Sequence, residues 1–231
     1  MGTIIGIGGG RYSDNEVLPI FERIVSLCPA EEPRVLFVPT AGHDDINGDE
    51  HIFRLFIGLG CSVSALLLTD ESLTYDDIER RITAADIIYV GGGNLEFLMN
   101  TWKKTGADKA MRLAYESGKI LSGYSSGMMC WFAEGYDDCG EGGSFIFVDC
   151  LGLLPYSSCP HFEGGKWWTF EPSLKGRKLP GIAAENGAAI FFTDGGCSVM
   201  HGNDGGSVYL IDNASDKKTE LTNDNCNSLL Q

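Results

Sequence analysis

The stretch Lys119-Ile120-Leu121-Ser122-Gly123-Tyr124-Ser125-Ser126-Gly127-Met128-Met129-Cys130-Trp131-Phe132-Ala133 decides how the chain is to be read. A short apolar run, Lys119–Ser122, enters a turn bracketed by Gly123 and Gly127, and an apolar segment follows that reads as a helix over Ser126–Ala133. A β-strand delivered into a glycine-bounded turn and then a helix is the setting in which Gly-x-Ser-x-Gly exposes its central hydroxyl. The bracketing glycines permit a sharp, strained bend, and the first N–H groups of the following helix face the same point.

Working outward from this turn, the first half of the chain alternates strand and helix signals. Strands are expected at Thr3–Ile7, Arg34–Val38, Ser62–Leu68 and Asp86–Val90, before the one at Lys119–Ser122. Between them, helical spacing of apolar residues marks Glu16–Leu27 (with Asp14 or Asn15 as its cap), Ile52–Leu59, Thr74–Ile82, Leu95–Lys103 and Asp108–Ser117. Strands apolar on both faces and separated by helices imply a mostly parallel sheet covered on both sides. The second half differs. Phe145–Leu154, Ala188–Thr193, Cys197–His201 and Ser207–Ile211 are strand-like with little helix between them, which predicts extra, partly antiparallel strands at one edge. The residues from about Asn213 onward are polar and are expected to be loosely held. No internal repeat or linker interrupts the pattern, so residues 1–231 read as a single domain.

Composition narrows the function. With 17 basic and 32 acidic residues the net charge is −15, which disfavours nucleic acid and anionic membrane surfaces as partners. No apolar stretch is long enough for a signal peptide or a bilayer span. The 8 cysteines form no CxxC pair, so neither a zinc ribbon nor a redox motif is expected. The reading is a cytoplasmic protein with reduced thiols.

A serine nucleophile needs a base, and the base needs an orienting group. Among the 4 histidines, His161 in Cys159-Pro160-His161-Phe162 ranks first, and His43, after the second expected strand, ranks second. Ser126 is a rival to Ser125 as nucleophile, but its place suits a backbone oxyanion donor better. Cys130 reads as packing. Asp137 and Asp138 follow the expected nucleophile helix and are candidate acids. The Gly91-Gly92-Gly93-Asn94 loop closes the strand before the nucleophile strand and is the expected source of the second oxyanion donor. Gly6-Ile7-Gly8-Gly9-Gly10 has neither dinucleotide-binding nor P-loop spacing and reads as a turn.

Taken in order, Pro39-Thr40-Ala41, Val90-Gly91-Gly92-Gly93-Asn94, Gly123-Tyr124-Ser125-Ser126-Gly127 with Cys130-Trp131-Phe132, and Pro160-His161-Phe162 with Pro180-Gly181-Ile182-Ala183 resemble the peptidase E and cyanophycinase family of serine peptidases. The resemblance implies a flavodoxin-like, three-layer α/β sandwich related to class I glutamine amidotransferases. It implies hydrolysis of small peptides, aspartyl dipeptides among them. It places the nucleophile on Ser125, the base on His161, the acid on Asp138 (with Asp137, Glu134 and Glu141 left open) and the oxyanion donors on Gly93 and Ser126. It implies no metal and no organic cofactor. Asn94, Lys166 and Trp167 are the expected substrate contacts.

Two departures bear on this. The elbow reads Ser125-Ser126-Gly127 where the family usually has Ser-Ala-Gly. The stretch Glu163-Gly164-Gly165-Lys166-Trp167-Trp168 lacks the arginine that relatives use to hold a substrate aspartate, leaving Lys166, Lys175 and Arg177 as the nearby cations in sequence. Two alternatives remain at this stage: a non-catalytic relative that binds a peptide or small ligand, and an α/β-hydrolase esterase. The expected partner is a small peptide substrate, and the oligomeric state is left open, a homodimer included.

Overall fold

A computed structural model describes residues 1–10, 16–162, 164–203, 205–215 and 217–230. Its elements run β1 (Thr3–Ile7), α1 (Leu18–Ser26), β2 (Arg34–Val38), α2 (Glu50–Gly58), β3 (Ser62–Ala65), α3 (Tyr75–Ala84), β4 (Ile87–Val90), α4 (Leu95–Thr105), α5 (Ala107–Glu116), β5 (Ile120–Tyr124) and α6 (Ser126–Met129). They continue with β6 (Phe132–Asp137), β7 (Ile146–Asp149), β8 (Leu154–Cys159), α7 (Phe170–Ser173), β9 (Gly181–Ala184), β10 (Ala188–Thr193), β11 (Gly196–His201), β12 (Val208–Ile211) and β13 (Lys218–Leu221).

The central sheet has the order β11-β10-β1-β5-β4-β2-β3. Strands β1 to β5 are mutually parallel, and β10 joins antiparallel to β1. Side chains alternate between its two faces, as the two-residue period of a strand demands. Ile5, Ile7, Val35, Phe37, Ile87 and Tyr89 pack with α1 and α2 on one side. Ile4, Leu36, Val38, Ile88, Val90 and Leu121 pack on the other side with α3 to α6 and with a second sheet. Helix α3 begins on a capping box in which the Thr74 hydroxyl accepts from Asp77 N–H and the Asp77 carboxylate accepts from Thr74 N–H. The expected caps of α1, Asp14 and Asn15, lie outside the described residues, and the helix itself starts at Leu18 rather than Glu16.

The second half corrects the sequence reading in four places. Only β10 and β11 extend the edge of the central sheet. The other strands form a separate mixed sheet, ordered β13-β12-β9-β8-β6-β7. The helix expected over Ser126–Ala133 ends at Met129, because the carbonyls of Cys130, Trp131 and Phe132 accept from Leu151, Leu153 and Gly152 and draw the chain into β6. The segment expected as one strand at Phe145–Leu154 is divided between β7 and β8 by that same loop. Nor is the C-terminal segment loose. β13 pairs with β12, the Asn227 side chain accepts from Cys197 N–H on the edge strand β11, and Cys226 is buried. No described helix is long and apolar enough to cross a membrane.

Candidate active site

The parallel pairings set Gly123 beside Gly6 and beside Val90. The turns that follow β1, β2, β4 and β5 therefore open together at the carboxyl end of the sheet, where open α/β sheets place their sites. Ser125 stands directly after β5, with φ 55° and ψ −123°, outside the regions a side chain normally occupies. Its N–H donates to the Ile7 carbonyl (3.1 Å) and its carbonyl accepts from Met128 (2.9 Å). A Cβ at Gly123 would overlap the Gly127 carbonyl, and one at Gly127 would overlap the Val90 carbonyl. Both glycines are thus steric requirements of the bend, and the bend holds the Ser125 hydroxyl out of the sheet.

His161 comes from the other sheet. It follows β8 in a left-handed conformation (φ 51°), and its N–H donates to the Gly8 carbonyl at 2.8 Å. Its Nε2 lies 2.9 Å from Ser125 Oγ. The site thus spans both sheets, with Ser125 and His161 36 residues apart in sequence. Burial lowers the imidazole's pKa from its ordinary value. Its bond to Asn186 and the nearby Asp138 carboxylate oppose that shift without cancelling it. The net effect favours the uncharged form of the ring.

The orienting group is where the expectation fails. Asp138 is exposed, and it reaches His161 through its charge rather than as the partner of Nδ1. The group at Nδ1 is Asn186, with Oδ1 at 2.7 Å. An amide oxygen only accepts, so Nδ1 carries the proton and the Nε2 lone pair faces Ser125. The other acids weighed from the sequence are engaged elsewhere or exposed. Asp137 is buried and accepts from Leu95 N–H, at the start of α4 (2.8 Å), and burial pushes its carboxyl up to about 6. Glu134 is held by Ser157 and Arg177, and Glu141 is exposed.

Asn186 gave no signal in the sequence, because Ala184-Glu185-Asn186-Gly187 reads as ordinary turn chemistry. The glycine run after β1 was legible only as a turn. In the structure it is the floor of the pair. Gly8 accepts from His161 N–H, Gly9 accepts from Gly187 N–H, and a Cβ on Gly9 would overlap both Asn186 Oδ1 and the His161 ring.

Ser126 opens α6, so its N–H has no acceptor within that helix. Its side chain, fully buried, donates to the Gly93 carbonyl at 2.7 Å, which sets the two expected oxyanion residues against each other. Of the expected substrate contacts, Trp167 stands with its ring 5.4 Å from that of His161 and edge-on to Phe145, forming one wall of the site. Lys166 beside it is exposed. The Asn94 side chain instead caps α4 by accepting from Phe97 N–H (2.8 Å), so its amide oxygen is occupied. Arg177 is paired with Glu134 and lies over the Phe147 ring, 3.6 Å from its centroid. His43 packs in a tilted arrangement against the Phe97 ring, 4.0 Å between centroids. Cys130 is buried just past the end of the elbow helix, with its thiol held well above the ordinary range by burial, in keeping with a packing role. Among the described residues, no group of three or more His, Cys, Asp or Glu side chains is placed to hold a metal.

A sequence model described as Peptidase family S51 matches residues 4–200. The chain is 35% identical over 196 residues to an uncharacterized peptidase, YgaJ, of Bacillus subtilis strain 168, covering 83% of this chain and 84% of that protein. It is 30% identical over 162 residues to an uncharacterized peptidase, Lmo0363, of Listeria monocytogenes, covering 65% of this chain and 75% of the relative. Among solved structures, a peptidase from an acI-B1 Actinobacterium superposes with a TM-score of 0.74 at 18% identity, covering 96% of this chain and 94% of that one. A second, from Listeria monocytogenes EGD-e and provisionally described as a peptidase E protein, superposes with a TM-score of 0.67 at 21% identity, covering 87% and 98%.

Proposed function

The chain belongs to peptidase family S51, a family of serine peptidases, and on that premise we propose that it hydrolyses small peptides through Ser125, His161 and Asn186. The observation that carries this reading is the 2.9 Å approach of His161 Nε2 to the hydroxyl of a serine held in a strained turn. Ser125 Oγ attacks the scissile carbonyl carbon while Nε2 takes its proton. Asn186 accepts from Nδ1–H and so keeps the imidazole in the tautomer that can do this. The N–H groups of Gly93 and Ser126 receive the developing oxyanion. Collapse of the tetrahedral intermediate breaks the C–N bond, and the Nε2 proton leaves with the amine. Water then enters by the same path in reverse and releases the acyl group. None of these steps calls on a metal or an organic cofactor.

The α/β-hydrolase alternative does not fit the topology, since the segment between Ser125 and His161 builds β6, β7 and β8 of a second sheet. Within the peptidase reading, recognition of an aspartyl side chain is supported by the family resemblance. Lys166, beside Trp167, is the cation whose place fits it, because Arg177 is committed to Glu134. A setting in the cytoplasm is in keeping with the sequence. The test is hydrolysis of a dipeptide panel, aspartyl and non-aspartyl, by wild type and by Ser125→Ala. Turnover by wild type that vanishes in the variant supports the proposal. Equal turnover by both overturns it.

A further inference from the structure

We propose that the hydroxyl of Ser126 is a positioning group for the oxyanion hole, holding in place the loop that supplies the Gly93 donor while the Ser126 backbone supplies the other. This rests on the reading of Ser125 as nucleophile. The Ser126 side chain is fully buried, and its hydroxyl donates to the Gly93 carbonyl at 2.7 Å across 33 residues of sequence. The peptide that contains this carbonyl is fixed from its other side as well, since Asn94 N–H donates to the Ala41 carbonyl at 2.8 Å. At the start of the loop, Gly91 N–H donates to the Val38 carbonyl at 3.1 Å. The Gly92–Gly93 peptide, whose N–H is the proposed donor, is thus strung between two anchored peptides.

The anchor matters because, among the described contacts, the Ser126 hydroxyl is what holds the Gly93 carbonyl itself, and the glycine backbone adds no stiffness of its own. Gly93 has φ 142°, where glycine meets no steric barrier to neighbouring conformations. A side chain there would overlap the Ala41 carbonyl, so stiffness cannot come from a larger residue. Gly93 is also exposed, so packing around it adds little to the stiffness of the loop. Downstream the chain is secured by Asn94 on Phe97 N–H and by Asp137 on Leu95 N–H. Those bonds fix α4 rather than the Gly93 carbonyl. Alanine at position 126 would fit the turn and retain its N–H, yet release that carbonyl. The hydroxyl therefore contributes to the alignment of a donor toward charge that exists only in the transition state, and its effect falls on kcat rather than on KM.

The test is Ser126→Ala with Ser126→Thr as the variant that retains a hydroxyl. Complete loss of an oxyanion donor costs about 10²- to 10³-fold in kcat, and misalignment of one costs less, about tenfold. Expected for Ser126→Ala are a kcat lowered about tenfold, KM within about twofold, a similarly slower fluorophosphonate reaction at Ser125, and faster hydrogen exchange at the Asn94 amide. Ser126→Thr is expected to recover most of the loss. Wild-type kcat and labelling rate in Ser126→Ala would overturn the proposal, as would a change confined to KM. Faster exchange at Asn94 in a protein whose wild type neither reacts at Ser125 nor cleaves peptide would instead locate the failure in the nucleophile reading, with the hydroxyl reduced to a structural bond.

Discussion

Converting Asn186 to aspartate would place a carboxylate where an amide oxygen now lies 2.7 Å from His161 Nδ1. An opposite charge at such range raises an imidazole pKa by about 1 to 3 units. Position 186 is exposed, so screening places the expected shift near the low end, at about 1 unit. The sign follows from the base role. Only neutral His161 accepts the Ser125 proton, so kcat/KM falls as pH drops through the imidazole pKa. Burial already holds that pKa below the ordinary value, and the wild-type acid limb is therefore expected below about pH 6.5. Asn186→Asp moves the limb up by about one pH unit and leaves the plateau equal to wild type or faster. Asn186→Ala acts in the opposite direction on the limb, since the Asn186 bond now raises the pKa. It also loses an orienting hydrogen bond worth about 1 to 1.5 kcal/mol, or about tenfold on the plateau. The assay is kcat/KM for a cleaved dipeptide between about pH 4 and pH 9. An unmoved acid limb in Asn186→Asp, together with a plateau within twofold of wild type in Asn186→Ala, would refute the orienting role.

Further outcomes follow from the same geometry. Gly9→Ala drives a methyl into Asn186 and His161 at a positive φ, and is expected to lower kcat by more than about 100-fold while the protein still folds, read by kinetics beside thermal melting. Asp138→Asn removes a charge that raises the His161 pKa, so the acid limb moves to lower pH by a fraction of a unit with little change in the plateau. A plateau loss as large as that of Asn186→Ala would make Asp138 the orienting group after all. Arg177→Met leaves the Glu134 carboxylate, 12% exposed, without its cation, and is expected to cost about 2 kcal/mol in urea unfolding, reduced from the fully buried case because the arginine is 35% exposed. A rise in KM for aspartyl substrates alone would instead mark Arg177 as a substrate contact.

The first half of the fold was legible because local and long-range signals agree there. Ile4 and Ile5, like Phe37 and Val38, alternate between two cores that helices cover, so the strand pattern and the helix pattern point to one sheet. The second half was read less well because its pairings are long-range. Nothing near Met129 announces that the carbonyls of residues 130–132 will be taken by residues 151–153, and that capture turns an apolar helical segment into β6. The C-terminal strand escaped for a related reason. Lys218–Leu221 is polar in sequence and is ordered by β12 and by Asn223 and Asn227 capping an edge strand.

At the site, Ser125 and His161 carried signals of their own, namely the glycine bracket and the place of His161 after a strand. Asn186 and Gly9 carried none, since an amide and a glycine in turns are expected on backbone grounds alone. The acids Asp137 and Asp138 drew attention by charge and proximity to the elbow. Burial of the first against α4 and exposure of the second leave Nδ1 to a neutral partner.

The most direct test of the central claim is fluorophosphonate labelling of wild type, Ser125→Ala and His161→Ala, with mass-spectrometric mapping of the modified residue. The account predicts a single label on Ser125, none in Ser125→Ala, and a rate lowered by several orders of magnitude in His161→Ala. A folded wild type that takes no label, from this probe or a smaller one, or a label that persists in Ser125→Ala, would contradict it.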